Sequence, residues 1–365
     1  MLARFPFSLL FTPVVVLVAF APVAAQSWTR VSGIDTTRGV YSLATVGTRF
    51  FAATDSLIYR SDDGLSWQVT PTQPATGLQY YLLHAQDSAL FAGTEEHGVH
   101  RSLDGGVTWT PLGTGLPAEG VIGLVALGDS LYAGMGFSAI YVLNLKTPGA
   151  WAPYTTGLTQ FGTNWIGTAG GRLFAGMGLG LFVRERGGSR WNEASWGDGL
   201  QRQAFEVVVV DTFLFAATDA GVFRAPVSDP LNWRAKDVAS MKGRDVLALA
   251  VQGKRLYAGL NQSLQHWIWS SDDAGESWEV RAHEYTEIWE MRFADQRMWA
   301  ARGDGVWYYD FEPLSVRRPA YSGTRPAAST VEPTHVWRPD GRRVPTPHGE
   351  PTLRRANEIT LPSHP

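Results

Sequence analysis

Apolar residues along this chain fall in short runs of a strand's length, cut by Gly, Asp, Asn and Pro. One motif recurs: an aromatic residue, then Ala, then Ala or Gly. It reads Phe51-Ala52-Ala53, Phe91-Ala92-Gly93, Tyr132-Ala133-Gly134, Phe174-Ala175-Gly176, Phe215-Ala216-Ala217, Tyr257-Ala258-Gly259 and Trp299-Ala300-Ala301, with successive copies 40 to 42 residues apart. A period of about 40–45 residues made of short strands is that of a four-stranded propeller blade. The fifth repeat shows the division: Phe205 to Val210 as an apolar inner strand, Phe213 to Thr218 second, Gly221 to Ala225 third and Asn232 to Lys236 fourth. Asp211-Thr212, Asp219-Ala220 and Ser228-Asp229-Pro230 supply the turns between them. Small residues in the second strand predict close approach of neighbouring blades, because Gly otherwise weakens a strand. Inner strands are expected near 40–46, 79–86, 121–127, 163–168, 204–210, 245–251 and 287–293.

A second periodic signal is a Trp opening the fourth strand, at Trp67, Trp109, Trp151, Trp191, Trp233 and Trp278. The last repeat has strands near 287–293, 297–302 and 305–310 but no fourth. Ser27-Trp28-Thr29-Arg30-Val31 carries the fourth-strand pattern, with Trp28 one repeat ahead of Trp67. The pattern therefore predicts an all-β, seven-bladed β-propeller of four-stranded antiparallel blades. Its N-terminal strand, 27–32, would pair with 305–310 and close the ring, leaving no open sheet edges.

Two third-to-fourth strand turns read Ser-x-Asp-x-Gly-x-x-Trp: Ser102, Asp104, Gly106, Trp109 and Ser271, Asp273, Gly275, Trp278. In the first blade Asp62, Gly64 and Trp67 are in step, with Arg60 in the Ser place, while Lys146, Arg186 and Ser228 occupy the Asp place in blades 3, 4 and 5. An Asp in such a turn accepts backbone N–H bonds, the Gly admits a positive φ and the Trp covers the hairpin. This resembles the Asp-box, or bacterial neuraminidase repeat (BNR), over about residues 27–311. Propellers of that kind include sialidases, xyloglucan-specific endoglucanases, the sortilin receptor domain and the photosystem II assembly factor, and the chain is most similar to the last two types. The resemblance implies that the box is structural and lies opposite the usual functional face.

The ends differ from the body. Residues 1–25 place Arg4 before an apolar stretch from Leu9 to Ala21 and end in Val23-Ala24-Ala25, the arrangement of a signal peptide. The expected mature chain starts at Gln26, is exported to the periplasm, surface or medium of a bacterium, and has no transmembrane segment. Residues 312–365 hold 10 of the 21 Pro, with eight Arg and five acidic residues. Residues 312–334 read as a stiff linker. The tail 335–365, with His335-Val336-Trp337-Arg338-Pro339-Asp340-Gly341-Arg342-Arg343-Val344 and later Leu361-Pro362-Ser363, weakly resembles a truncated type IX secretion sorting domain, with a plain disordered tail as the competing reading. The formal net charge of −3 thus averages an acidic ring and a basic tail. With no Cys, disulfides and thiolate metal sites are excluded, and an acidic ring is not a nucleic-acid binder.

Candidate chemistry lies on the face carrying the fourth-to-first and second-to-third strand loops. The first set includes Asp35 to Arg38, Gln79 to Tyr81, Trp196 to Arg202 and His283 to Glu287. The second includes Asp55, Glu95-Glu96-His97, Asp219 and Asp304. Arg38, Asp55, Tyr80, Glu95, Glu96, His97 and Glu284 are the candidate ligand-binding residues. A sialidase needs several Arg converging on a carboxylate, and the predicted inner strands hold one, Arg292. A glycosidase needs two carboxylates about 5–10 Å apart. Glu95, Glu96, Asp55 and Glu284 would suit if blades 7, 1 and 2 bring them to one cleft. His97 and His100 fall on a turn and a strand, so no metal is expected, and no cofactor motif is present. His84, Glu206 and Glu290 on inner strands are expected to line the central channel and reach water. The reading is a monomeric, non-catalytic binding propeller for a protein or glycan. The alternative is a glycoside hydrolase of the Asp-box type.

Overall fold

The computed structural model describes residues 28–310 apart from 36, 38, 75–79, 237–242, 263–264 and 285; of 80, 81, 262, 265, 283 and 284 it describes the backbone alone. The expected signal peptide at 1–25, Arg38, the linker at 312–334 and the tail at 335–365 lie outside the described residues.

Seven four-stranded antiparallel sheets follow one another round the ring. Blade 1 consists of Val40–Val46, Arg49–Thr54, Ile58–Ser61 and Gln68–Val69. Blade 2 consists of Tyr80–Gln86, Ala89–Thr94, Val99–Ser102 and Thr110–Pro111, and blade 3 of Val121–Leu127, Ser130–Met135, Ile140–Asn144 and Ala152–Pro153. Thr163–Ala169, Arg172–Met177, Gly180–Arg184 and Asn192–Glu193 form blade 4; Ala204–Val210, Phe213–Thr218, Gly221–Pro226 and Arg234–Ala235 form blade 5. Blade 6 has Asp245–Gln252, Arg255–Gln262, Gln265–Ser271 and Glu279–Glu284. Blade 7 takes Ile288–Ala294, Arg297–Arg302 and Gly305–Asp310 from the end of the propeller and Thr29–Arg30 from its beginning. Thr29 pairs with Tyr308 and Arg30 with Trp307, and Val31 N–H donates to the Val306 carbonyl at 3.1 Å. Trp28 is buried against Tyr309, ring centroids 5.6 Å apart. The closure read from the Trp spacing is thus the observed one.

The core lies between blades. All seven motif aromatics are buried, and several aromatic contacts cross from blade to blade: Phe50 with Trp299 at 4.9 Å and Phe174 with Trp233 at 6.5 Å. Each fully buried ring of this size stabilises by on the order of 2–3 kcal/mol. The glycines of the second strands face the next inner strand. A Cβ on Gly134 would meet the Thr163 side chain at 2.4 Å, and one on Gly176 the Ala204 carbonyl oxygen at 2.0 Å. At the periphery the outer-strand Trp anchors the preceding blade: Trp67 N–H donates to Ser32, Trp151 to Thr114, Trp191 to Thr156 and Trp233 to Ser195. Gly33 and Gly157, at φ +88° and +93°, make room for these contacts, since a Cβ there would fall 2.0 and 2.2 Å from the Trp67 and Trp191 carbonyls.

Every inner strand carries a register shift after its first or second residue, as between Val40 and Ser42 or Val246 and Ala248. The residue after the shift is Ser42, Leu82, Gly123, Trp165, Glu206, Ala248 or Glu290, and the side chains of the polar ones bond the next blade. Glu290 accepts from Leu43 N–H at 2.9 Å, Ser42 from Leu83 N–H at 3.1 Å and Glu206 from Leu249 N–H at 2.6 Å. Two residues past the blade 2 shift, His84 Nε2 accepts from Ala126 N–H at 3.1 Å. These groups are buried and do not reach water, which corrects the expectation of a hydrated channel lining. An inner strand pairs on one edge only, so its other N–H groups need acceptors, and these side chains provide them. Burial, then the Arg292 charge, holds His84 down to about 3, so it is neutral at neutral pH. Burial raises the Glu290 carboxyl, against the pull of the adjoining Arg292.

The third-to-fourth strand turns occupy the opposite end of the blades from the loops considered below. Asp104 Oδ1 accepts from Val107 and Thr108 N–H at 3.0 and 2.9 Å and from Ser102 Oγ at 2.8 Å; Gly106 N–H donates to Ser102 Oγ. Asp273 is held alike by Ser277 and Ser271, and Gly275 by Ser271. Hydroxyl and backbone donors keep both carboxyls down at about 2, led by Thr108 and Ser277. Trp278 is buried and its indole donates to Lys236, whereas Trp109 is half-buried. The first blade corrects the expected register. Asp62 pairs with Arg49 at 2.6 Å, and the turn is built by Asp63, which accepts from Leu65 and Ser66 N–H and from Ser61 Oγ. The turn is one residue shorter before Trp67 than before Trp109. In blade 3 Asn144 takes over, accepting from Lys146 and Thr147 N–H.

Candidate functional site

Strand direction places the second-to-third turns and the fourth-to-first loops on one face. In blades 1, 2 and 5 a threonine shapes the turn. Thr54, Thr94 and Thr218 hydroxyls each donate across it and accept a backbone N–H from within it. These clips present Asp55, Glu95, Glu96 and His97, the last two exposed. Tyr80 begins the inner strand of blade 2. Glu284 ends the outer strand of blade 6, paired with His266, rather than belonging to blade 7. It is therefore not in the run of adjacent blades assumed for a shared cleft. His100 lies inside the third strand of blade 2, buried, its pKa lowered by burial and then by His97. Among the described residues no three His, Asp or Glu converge as a metal set.

The pattern of the face is clearest over blades 3 to 6. Phe137, in the second-to-third turn of blade 3, is 76% exposed; Phe161, in the loop entering blade 4, 78%; Leu179, in the blade 4 turn, 45%; Leu200, in the loop entering blade 5, 62%. Backbone hydrogen bonds weld the four segments. Gly162 N–H donates to Ser138, Gly178 to Gly162 and Arg202 to Leu179, all within 3.0 Å. Leu179 N–H donates to the Gln160 side chain at 2.7 Å, and Glu119 accepts from Phe137 and Ser138 N–H. The apolar arc is thus carried on fixed turns.

Next along the face, Asp198 holds Arg202 bidentately at 2.5 and 2.9 Å, and the guanidinium also lies 4.6 Å over Phe223. Asp219 N–H donates to Gln203. Asp219 Oδ1 is buried with no hydrogen-bond partner among the described residues. Partial burial raises its carboxyl. Asp245, at the mouth of blade 6, is exposed, yet partial burial and then the Asp219 charge push it up to about 6. Arg244 beside it lies 4.6 Å over the Trp267 ring. Sequence reasoning put Asp219 on this face but passed over Phe137, Phe161, Leu179, Leu200 and Asp245. The signal was present as Gly136-Phe137, Phe161-Gly162, Gly178-Leu179-Gly180 and Gly199-Leu200, apolar residues in glycine turns where polar ones are usual.

The profile of a family described as the DUF6242 beta propeller domain matches residues 14–130, a stretch holding blades 1 and 2 and the inner strand of blade 3. No curated protein matches the chain in sequence. Among solved structures it is similar to YCF48 from Cyanidioschyzon merolae, at 16% identity and TM-score 0.63 over 79% of this chain and 99% of that one. It is similar to the extracellular domain of the putative one-component system BT4673 from B. thetaiotaomicron, at 15% and 0.65 over 80% of this chain and 40% of that one. YCF48 bound to D1 peptide aligns at 13% and 0.62 over 79% and 97%. Among the described residues no helix is long and apolar enough to cross a membrane. At these identities the likeness is one of fold, and it agrees with the strand pairing: the chain is a seven-bladed β-propeller.

Proposed function

We propose that this chain is an exported, non-catalytic β-propeller that binds a protein partner through its loop face. The observation carrying this reading is the contiguous arc of Phe137, Phe161, Leu179 and Leu200, exposed on hydrogen-bonded turns. A soluble monomer seldom shows large side chains grouped in this way unless something covers them. Two of the four are aliphatic and offer a sugar ring no stacking face, so a protein fits better than a glycan. The peptide bound by the similar YCF48 fold supports the same direction. Export rests on the leader at 1–25, and the turns at 102–109 and 271–278 serve as structural Asp boxes.

The test is capture of partners by the full chain from the envelope and secreted fractions of its source cell. Phe137→Ser/Phe161→Ser is compared with Leu103→Ser on the opposite face. The expected result is a protein retained by the wild type and Leu103→Ser and lost by the double variant. Capture indifferent to the double variant overturns the loop-face role. Sequencing the mature N-terminus checks export, with Gln26 expected first.

A further inference from the structure

The geometry points to a docking track across blades 3–6 for an extended polypeptide segment, apolar at one end and carrying a lysine or arginine at the other. This rests on the binding role just proposed and names the chemistry of the partner. The order along the face is Phe137, Phe161, Leu179, Leu200, then Asp219 and Asp245, one residue from each successive turn, loop or strand entry. A line of single anchors suits an extended strand better than a broad folded surface, because alternate side chains of an extended segment point the same way. The backbone bonds from Ser138 through Gly162 and Gly178 to Arg202 fix the anchors beforehand, so little ordering cost falls on binding.

The acidic end makes the occupant's charge specific. Among the described residues the cations beside it have other partners, Arg202 in Asp198 and the Phe223 ring and Arg244 in the Trp267 ring, while the Arg202 charge also draws on Asp219 without bonding it. No ion pair reaches Asp219 or Asp245 among the described residues, and Asp219 Oδ1 is a buried acceptor without a donor. A buried acceptor left unmade costs free energy, and a partner's ammonium or guanidinium would satisfy it with a charge-assisted bond. A metal ion is the poorer occupant, since among the described residues no third ligand converges there.

The experiment uses the purified full chain at low salt and fluorescence anisotropy of two labelled probes. One is an eight-residue peptide alternating Leu and Thr and ending in two Lys; the other ends in two Glu. Each is made in both sequence directions. The Lys probe is expected to bind at least about tenfold tighter than the Glu probe. Phe137→Ser/Phe161→Ser should weaken it at least about tenfold. Asp219→Asn/Asp245→Asn should abolish the preference between probes, and Leu103→Ser should change neither. Equal binding of the two probes, no binding of either, or a loss shared by Leu103→Ser overturns the track. Such an outcome, with partner capture still dependent on Phe137 and Phe161, removes the inferred chemistry and leaves the binding role standing. Capture indifferent to those residues removes the role itself.

Discussion

Gly176 and Gly259 occupy the same place in two repeats, yet an added methyl should act oppositely at them. A Cβ on Gly176 would sit 2.0 Å from the Ala204 carbonyl oxygen and 2.9 Å from its carbon. Carbon–oxygen contacts rarely close below about 3.3 Å, so the overlap exceeds roughly 1 Å. The obstacle is backbone, at the register shift of the blade 5 inner strand, and cannot swing aside. At Gly259 the nearest atoms are Met291 Cε at 3.3 Å and Ile288 Cγ2 at 3.5 Å, the first being the end of a flexible thioether. Neither glycine has a positive φ, so only space is at issue. Ala53, Ala217 and Ala301 hold this place in blades 1, 5 and 7, which assigns the cost to the gap between blades 4 and 5. Overpacking a core costs about 1–3 kcal/mol, and a backbone obstacle puts Gly176→Ala near the upper end. Gly259→Ala should be neutral or gain up to about 1 kcal/mol, since Gly weakens a strand interior by roughly 0.5–1 kcal/mol. Urea unfolding of the full chain followed by tryptophan fluorescence reads both. Gly176→Ala should lower the midpoint by about 1 M at unchanged slope. Equal midpoints for the two variants, or greater damage from Gly259→Ala, would refute the packing argument.

Trp28→Ala, which empties the buried site against Tyr309 across the ring closure, should cost about 3–5 kcal/mol; a thermal melt no lower than that of Trp109→Ala, at a half-buried site, would contradict it. Glu206→Ala leaves Leu249 N–H without its 2.6 Å acceptor and should cost about 1–3 kcal/mol. Glu206→Gln keeps an acceptor there and should recover most of that loss in the same urea assay. Asp245 titrates near 6 when folded against 3.8 as its ordinary value, so the folded chain holds a proton that the unfolded chain has lost. That contribution to stability is complete below about pH 4 and disappears as pH rises through 6. Asp245→Asn should therefore flatten the change in urea midpoint between pH 5 and 7, and an unchanged profile would place the proton elsewhere.

The ring was legible because one constraint repeats seven times. Phe51, Phe91, Tyr132, Phe174, Phe215, Tyr257 and Trp299 must all be buried, and the small residues after them must let the next blade in. A demand copied at every 40–42 residues is visible without any relative for comparison. Its closure was equally visible, because Trp28 keeps the phase of the fourth strand. What failed to read out correctly was whatever depends on a single turn or on the neighbour across a gap. Asp62 and Asp63 are adjacent acids, and only a turn shortened by one residue decides which accepts the backbone donors. Glu206 and Glu290 look like channel residues because they lie on inner strands. The register shift in each inner strand instead aims them at the next blade, where an unpaired N–H awaits an acceptor. The loop face is harder still, since its anchors share no motif. Phe137, Phe161, Leu179 and Leu200 come from two kinds of connection in three repeats and become one surface only through the bonds from Gly162, Gly178 and Arg202. Repetition makes a scaffold readable, and function sits where the repeats differ. The informative comparison is therefore within the chain: at these turns blade 1 offers Asp55 and blade 2 offers Glu95 and Glu96, while blades 3 and 4 offer Phe137 and Leu179. That polar-to-apolar change across one face gives it a direction, and only a partner with matching direction would bind it in a single orientation.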